Sequence, residues 1–194
     1  VDESLSPAQQ KLLQLHPKLS CEMLHEAGVT DEKWLKAVLA HHERFDGSGY
    51  PAGIAGDAIP LEARLVAVAD VYDAMIKPRG HRKPLGSREA LREIFLKRGA
   101  KVDELMAKTL IKELGVYPPG SFVRLRNGEI AIAFRRGQTA TSPLVRSIVG
   151  PRGAPLDSPV RRNTSETRYV VVDSAARDPS IPIVLDQLWD YRVN

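Results

Sequence analysis

The 194 residues are 43% hydrophobic and 27% charged, a globular composition with enough length for one good core or two small ones. Cys21 is the single cysteine, which excludes an intramolecular disulfide and a thiolate metal cluster and points to a reducing compartment, the cytoplasm. No apolar run is long enough to span a bilayer, Val1 to Ser4 has neither the basic nor the apolar stretch of a signal peptide, and a net charge of +4 is too mild to define a partner.

Ser6-Pro7-Ala8-Gln9 has the form of a helix start, with Ser6 as N-cap, Pro7 at the first position and Gln9 completing a capping box. Leu12, Leu13, Leu15, Leu19, Met23 and Leu24 continue at near-helical spacing, Pro17 is expected to bend or divide the segment, and Gly28 ends it. Thr30, Asp31 and Glu32 open a second helix, for which Trp34, Leu35, Val38 and Leu39 supply the expected buried stripe. His41 and His42 stand at its C-terminal end. Asp46 to Pro60 holds four glycines and two prolines, the composition of an irregular loop. Pro60 then starts a helix to about Met75 that carries Asp70 and Asp73, and further helices are predicted over Ser87 to Arg98 and Asp103 to Leu114, with Gly115 as C-cap.

The pattern changes after Tyr117-Pro118-Pro119-Gly120. Phe122 to Leu125 and Ile130 to Phe134 flank Asn127-Gly128, a hairpin signal. Leu144 to Val149 and Tyr169 to Val172 are further strand candidates, whereas Asp157 to Thr167 is polar and reads as a loop. The fold class is therefore mainly α, a helical domain over 1–116 followed by a small antiparallel β extension over 117–194.

Neutral imidazoles with a carboxylate are the ligand set that borderline transition metals prefer, and His41, His42 and Asp70 offer one. On an ideal helix two neighbours point about a quarter-turn apart, a geometry suited to two nearby ions rather than one. The competing readings are a solvated histidine pair at a helix end and, for Asp70, an exposed face or a salt bridge to Arg64. By itself His16, before Pro17, reads as a structural or surface group. Lys77, Arg79, Arg82 and Lys83 suit phosphate, or form a solvated basic loop. Arg124 to Arg168 is basic but poor in aromatics for base stacking, so nucleic acid is not an expected partner.

Taken in order, His41-His42-Glu43-Arg44-Phe45-Asp46-Gly47-Ser48-Gly49-Tyr50-Pro51, Ile59-Pro60-Leu61-Glu62-Ala63-Arg64 and Val68-Ala69-Asp70-Val71-Tyr72-Asp73 closely resemble the HD-GYP family of cyclic di-GMP phosphodiesterases. The likeness runs from about Leu5 into the hairpin after Pro118. It implies a helical core of the HD superfamily that binds two or three divalent ions, iron or manganese, and opens the phosphodiester ring of cyclic di-GMP to give pGpG or GMP. It also implies that His16, His41, His42 and Asp70 are metal ligands, which reverses the reading of His16. Gly49, Tyr50 and Pro51 become the signature loop, which shapes the site and meets partners such as diguanylate cyclase domains, and Arg79 and Arg82 become phosphate contacts.

The sequence departs from that family at its start. The resemblance places a His-Asp doublet just upstream of Leu5, and Val1 to Ser4 does not contain it. The expectation is an incomplete catalytic domain, with apolar surface exposed where a helix or two is missing. A non-catalytic module that binds cyclic di-GMP or a cyclase through the loop is the alternative. Gly80-His81 also differs from the family's usual Pro-Tyr.

Overall fold

A computed structural model describes residues 6–77, 84–183 and 185–188. They form two compact units, one from the residues up to Leu85 with Glu89–Leu110, the other from Gly86–Arg88 with Ile111 onward.

In the first unit, α1 (Pro7–Glu26) begins with the expected capping box: Ser6 accepts from the Gln9 amide at 3.3 Å while its own amide donates to the Gln9 side chain at 2.8 Å. Pro17 does not divide this helix, which continues through it with the proline ring buried. For α2 (Glu32–Ala40) the cap is Asp31, which accepts from the amides of Lys33 and Trp34. The two helices meet where the Cys21 thiol donates to the Leu35 carbonyl.

The expected stripe on α2 is corrected in part. Ala37 and Ala40 are buried, whereas Trp34 and Leu39 face solvent at 53% and 40% exposure. Small residues are what α2 turns inward, because Ala40 packs closely against Ile59 and Ala63. Leu12, Leu13, Leu15, Leu19 and Met23 of α1 are also exposed, so the near-helical leucine spacing marks a face that these residues leave open.

Next come α3 (Leu61–Ile76), α4 (Ser87–Leu96) and α5 (Glu104–Leu114). Val68 and Met75 of α3 share a core with Ala90, Ile94, Met106 and Ala107. Asp103 caps α5 through the Met106 amide at 2.9 Å and holds Arg64 of α3 at 2.7 Å, so one buried carboxylate fixes two helices.

The second unit is a five-stranded antiparallel sheet in the order β4-β3-β2-β1-β5, made of β1 (Phe122–Leu125), β2 (Ile130–Arg135), β3 (Leu144–Val149), β4 (Pro155–Asn163) and β5 (Val171–Ser174). Gly128, at φ 90°, makes the predicted β1–β2 turn. The expectation of a loop over Asp157 to Thr167 is wrong for Asp157 to Asn163, which belong to β4. β4 has almost no inward apolar residues because it is an edge strand, defined by its pairing with β3 from Leu144↔Asn163 to Val149↔Pro155. Arg162 of β4 donates two bonds to buried Glu129, which also accepts from Ser147. A short α6 (Leu185–Leu188) places Leu188 against Ile132 and Ile148.

Candidate metal centre

His41 is the C-cap of α2, and His42 falls in the turn beyond it. The quarter-turn separation expected for helical neighbours does not apply there. Their ring centroids are 4.2 Å apart, and His16 of α1 brings a third ring to 5.3 Å from His41 and 4.7 Å from His42. One nitrogen from each ring lies within 4.8 Å of the other two, the arrangement of donors around a single ion.

The protons sharpen this. His16 Nδ1 is 2.6 Å from the Leu13 carbonyl, and His41 Nδ1 is 2.6 Å from the Val38 carbonyl. A carbonyl only accepts, so in both rings the proton belongs to Nδ1 and the lone pair to Nε2. The two Nε2 atoms then face each other at 3.3 Å. Bare lone pairs at that distance repel, and a cation removes the repulsion. Nitrogens each about 2.1 Å from one ion stand roughly 3.0–3.4 Å apart when they are adjacent ligands. The residues present therefore fit a divalent metal, and the carbonyl bonds are the outer contacts that ligand histidines ordinarily make.

Burial, followed by the neighbouring His41, pushes the His42 pKa down to about 4, with Asp70 opposing. The ring is neutral at neutral pH and offers its lone pair without first losing a proton. Asp70 Oδ2 is 3.8 Å from His42 Nδ1. It stands beside the three-histidine group rather than within it. The alternative partner for Asp70 does not hold, because Arg64 is taken by Asp57 and Asp103. Asp73 pairs with Lys77 at 2.8 Å, which ties down that member of the basic cluster. Arg79 and Arg82, with His81 and Lys83, lie outside the described residues.

The loop after His42 is folded onto it. The Tyr50 amide donates to the His42 carbonyl at 3.3 Å, and the Tyr50 ring lies 4.8 Å from the His42 ring, tilted by 31°. Gly49 makes this possible: a Cβ there would collide with the backbone of Glu43 and Arg44. Pro51 follows through a cis peptide bond and is exposed. Burial raises the Tyr50 pKa, Arg44 opposes it and Asp70 adds to it, so the phenol keeps its proton and remains a donor.

Two residues of the site stayed hidden in the sequence. Glu43 is buried at 3% exposure and accepts from the Ala52 amide at 2.7 Å, pinning the far side of the loop. Arg44 is the cation that acts on both His42 and Tyr50. Both stand inside the motif that carries the resemblance without a role assigned there, and an acid and a base placed directly between a histidine pair and a glycine loop are a usable signal.

This chain belongs to the HD domain family, whose model matches residues 2–105. Its relatives bear out the HD-GYP resemblance. It is 34% identical over 142 residues to a cyclic di-GMP phosphodiesterase of Pseudomonas aeruginosa, covering 73% of this chain and 34% of that protein. It is 36% identical over 112 residues to the cyclic di-GMP phosphodiesterase response regulator RpfG of Xanthomonas campestris, covering 56% and 29%. A 3'3'-cGAMP-specific phosphodiesterase of Vibrio cholerae is 29% identical over 109 residues, covering 56% and 21%. The chain thus spans about a third or less of the length of these relatives. Among the described residues no helix is long and apolar enough to cross a membrane.

Proposed function

We propose that this chain is part of the catalytic domain of a metal-dependent phosphodiesterase that opens cyclic di-GMP to pGpG or GMP in the cytoplasm. The observation that carries the reading is the convergence of His16, His41 and His42 with Nε2 lone pairs of the first two facing each other at 3.3 Å. His16, His41 and His42 would hold the metal, with Asp70 beside His42 as the fourth ligand. Two or three ions, iron or manganese, are expected in the complete centre. Bound there, the metal supplies an activated water and stabilises negative charge on the phosphate.

The chain's own residues supply the rest. The neutral Tyr50 phenol is a hydrogen-bond donor next to His42, and Arg44 provides positive charge beside both. Together they suit a phosphodiester oxygen, the phenol as donor and the guanidinium as counter-charge. Arg79 and Arg82 would extend that grip. The exposed leucines of α1 are consistent with further helices packing there.

The test is hydrolysis of cyclic di-GMP by the natural full-length protein loaded with manganese or iron, compared with its His42→Ala and Asp70→Asn variants. Activity equal to the unmodified protein in those variants would sink the assignment. A second reading is a non-catalytic module that binds cyclic di-GMP or a diguanylate cyclase domain through the Gly49-Tyr50-Pro51 loop. It is favoured by the three-histidine group, which among the described residues includes no carboxylate. Ligand heat in calorimetry without turnover would select it.

A further inference from the structure

We infer that Pro17 is a positioning residue for the metal centre, acting by taking an amide proton out of α1 so that the Leu13 carbonyl is left for His16. The inference rests on the reading of His16 as a ligand and adds to it the reason that the ring points where it does.

In an α-helix the carbonyl of residue 13 accepts from the amide of residue 17. Pro17 lies inside α1 and has no amide proton, so that bond is missing. The proline ring also crowds the carbonyl four residues back and tilts it away from the helix axis. Among the described residues the freed carbonyl meets the His16 side chain, with Nδ1 at 2.6 Å. The proline therefore creates the acceptor that its immediate neighbour uses. That bond fixes the proton on Nδ1, turns Nε2 outward, and sets it 3.3 Å from His41 Nε2.

The second histidine reaches the same arrangement differently. His41 donates to Val38, also three residues earlier, but Val38 lies in the last turn of α2, where carbonyls lack amide partners in any case. A helix end supplies a free carbonyl at no cost. His16 stands in mid-helix and needs a residue that removes one. Pro17 is buried, so its ring packs into the unit as well as breaking the ladder, which explains how α1 continues through it.

The experiment compares this chain, unmodified and as Pro17→Ala, by three readouts. Nitrogen NMR of the metal-free protein should find His16 as the Nδ1–H tautomer in the unmodified chain and a mixture of tautomers in Pro17→Ala. Titration with manganous ion should be at least about tenfold weaker in Pro17→Ala, the loss expected when a ligand histidine loses its outer hydrogen bond. The melting temperature of Pro17→Ala should be at or above that of the unmodified chain, since the restored helix bond offsets the lost ring, and this separates positioning from simple damage. An Nε2–H tautomer in the unmodified chain overturns the proposal whatever the variant does, as does a Pro17→Ala that keeps both the tautomer and the affinity. If the unmodified chain shows the Nδ1–H tautomer but takes up no manganous ion, the orienting role stands and the metal reading fails.

Discussion

His16 and His41, 25 positions apart in the chain, present unprotonated Nε2 atoms to each other at 3.3 Å because each has committed its one ring proton to a backbone carbonyl. A cation bound between the two nitrogens would remove that opposition. Histidine→alanine substitution at either position should therefore cost metal binding far more than it costs folding. His16→Ala is expected to lower affinity for manganous ion by tenfold or more while shifting the melting temperature little, since the ring is half-exposed. Calorimetry alongside thermal melting checks this, and equal affinity would remove His16 from the centre.

Glu43 offers a different test. Its Oε2 and the Nε of Arg64 are both buried without a protein partner, and both residues line a cavity of about 10 Å³. One water fits such a space and suits both atoms, accepting from Arg64 and donating to Glu43. A high-resolution crystal structure should show it. Glu43→Ala would release the Ala52 amide as well, and is expected to destabilise the unit by about 1–3 kcal/mol, with Glu43→Gln recovering part of the loss.

Arg44 is predicted to matter for substrate more than for fold. On the proposed function, Arg44→Ala in the natural full-length protein should raise KM about tenfold with a smaller change in kcat, the result expected from losing a charge-assisted contact made before the reaction. Steady-state kinetics on cyclic di-GMP would show it, and an unchanged KM would leave Arg44 a bystander.

In the sheet unit, acid should find Glu129 first. Burial raises its pKa, but bonds from Arg162 and Ser147 outweigh that and hold it below the ordinary carboxylate value. The folded state therefore keeps Glu129 ionised when the unfolded chain has begun to bind a proton. Its contribution is fully present above about pH 4.5, the unfolded value, and declines as the pH falls from there through the lower folded value. Glu129→Gln should flatten stability against pH in that range. Glu129→Ala, which strands Arg162, should cost roughly 3 kcal/mol near neutrality. Urea melts of both variants at pH 3.5 and pH 7 test the pair.

The parts of the fold that were legible in the sequence carry their own local chemistry. Ser6 with Gln9, Pro60 and Asn127-Gly128 fixed helix and turn boundaries because each residue type satisfies a backbone demand within a few positions. What needed the tertiary structure was set by neighbours far along the chain. β4 is a strand because β3 pairs with it, not because of its own pattern. Trp34 and Leu39 have the spacing of a buried stripe but lie outside it, since Ala37 and Ala40 are the residues α2 buries and Ala40 is the one packed with Ile59 and Ala63. In the site, His41, His42 and Asp70 stood out together within one motif, whereas His16 reached the list only through the family resemblance. Pro17 in the sequence predicts a bend or a division of the helix, and the partner that its missing bond provides is not visible from spacing alone.

Gly49 gives the site an unusual kind of brittleness. With the loop backbone lying directly on that of Glu43 and Arg44, the path from the histidine turn to Tyr50 has no slack into which an added carbon could be absorbed. Side-chain substitutions elsewhere in the centre remove one donor or one charge and leave the others where they were. A single methyl at position 49 would lift Tyr50 and distort the turn behind His42 together. The least forgiving position of the centre is thus one that contributes no functional group, and an alanine scan that passes over glycines would miss it.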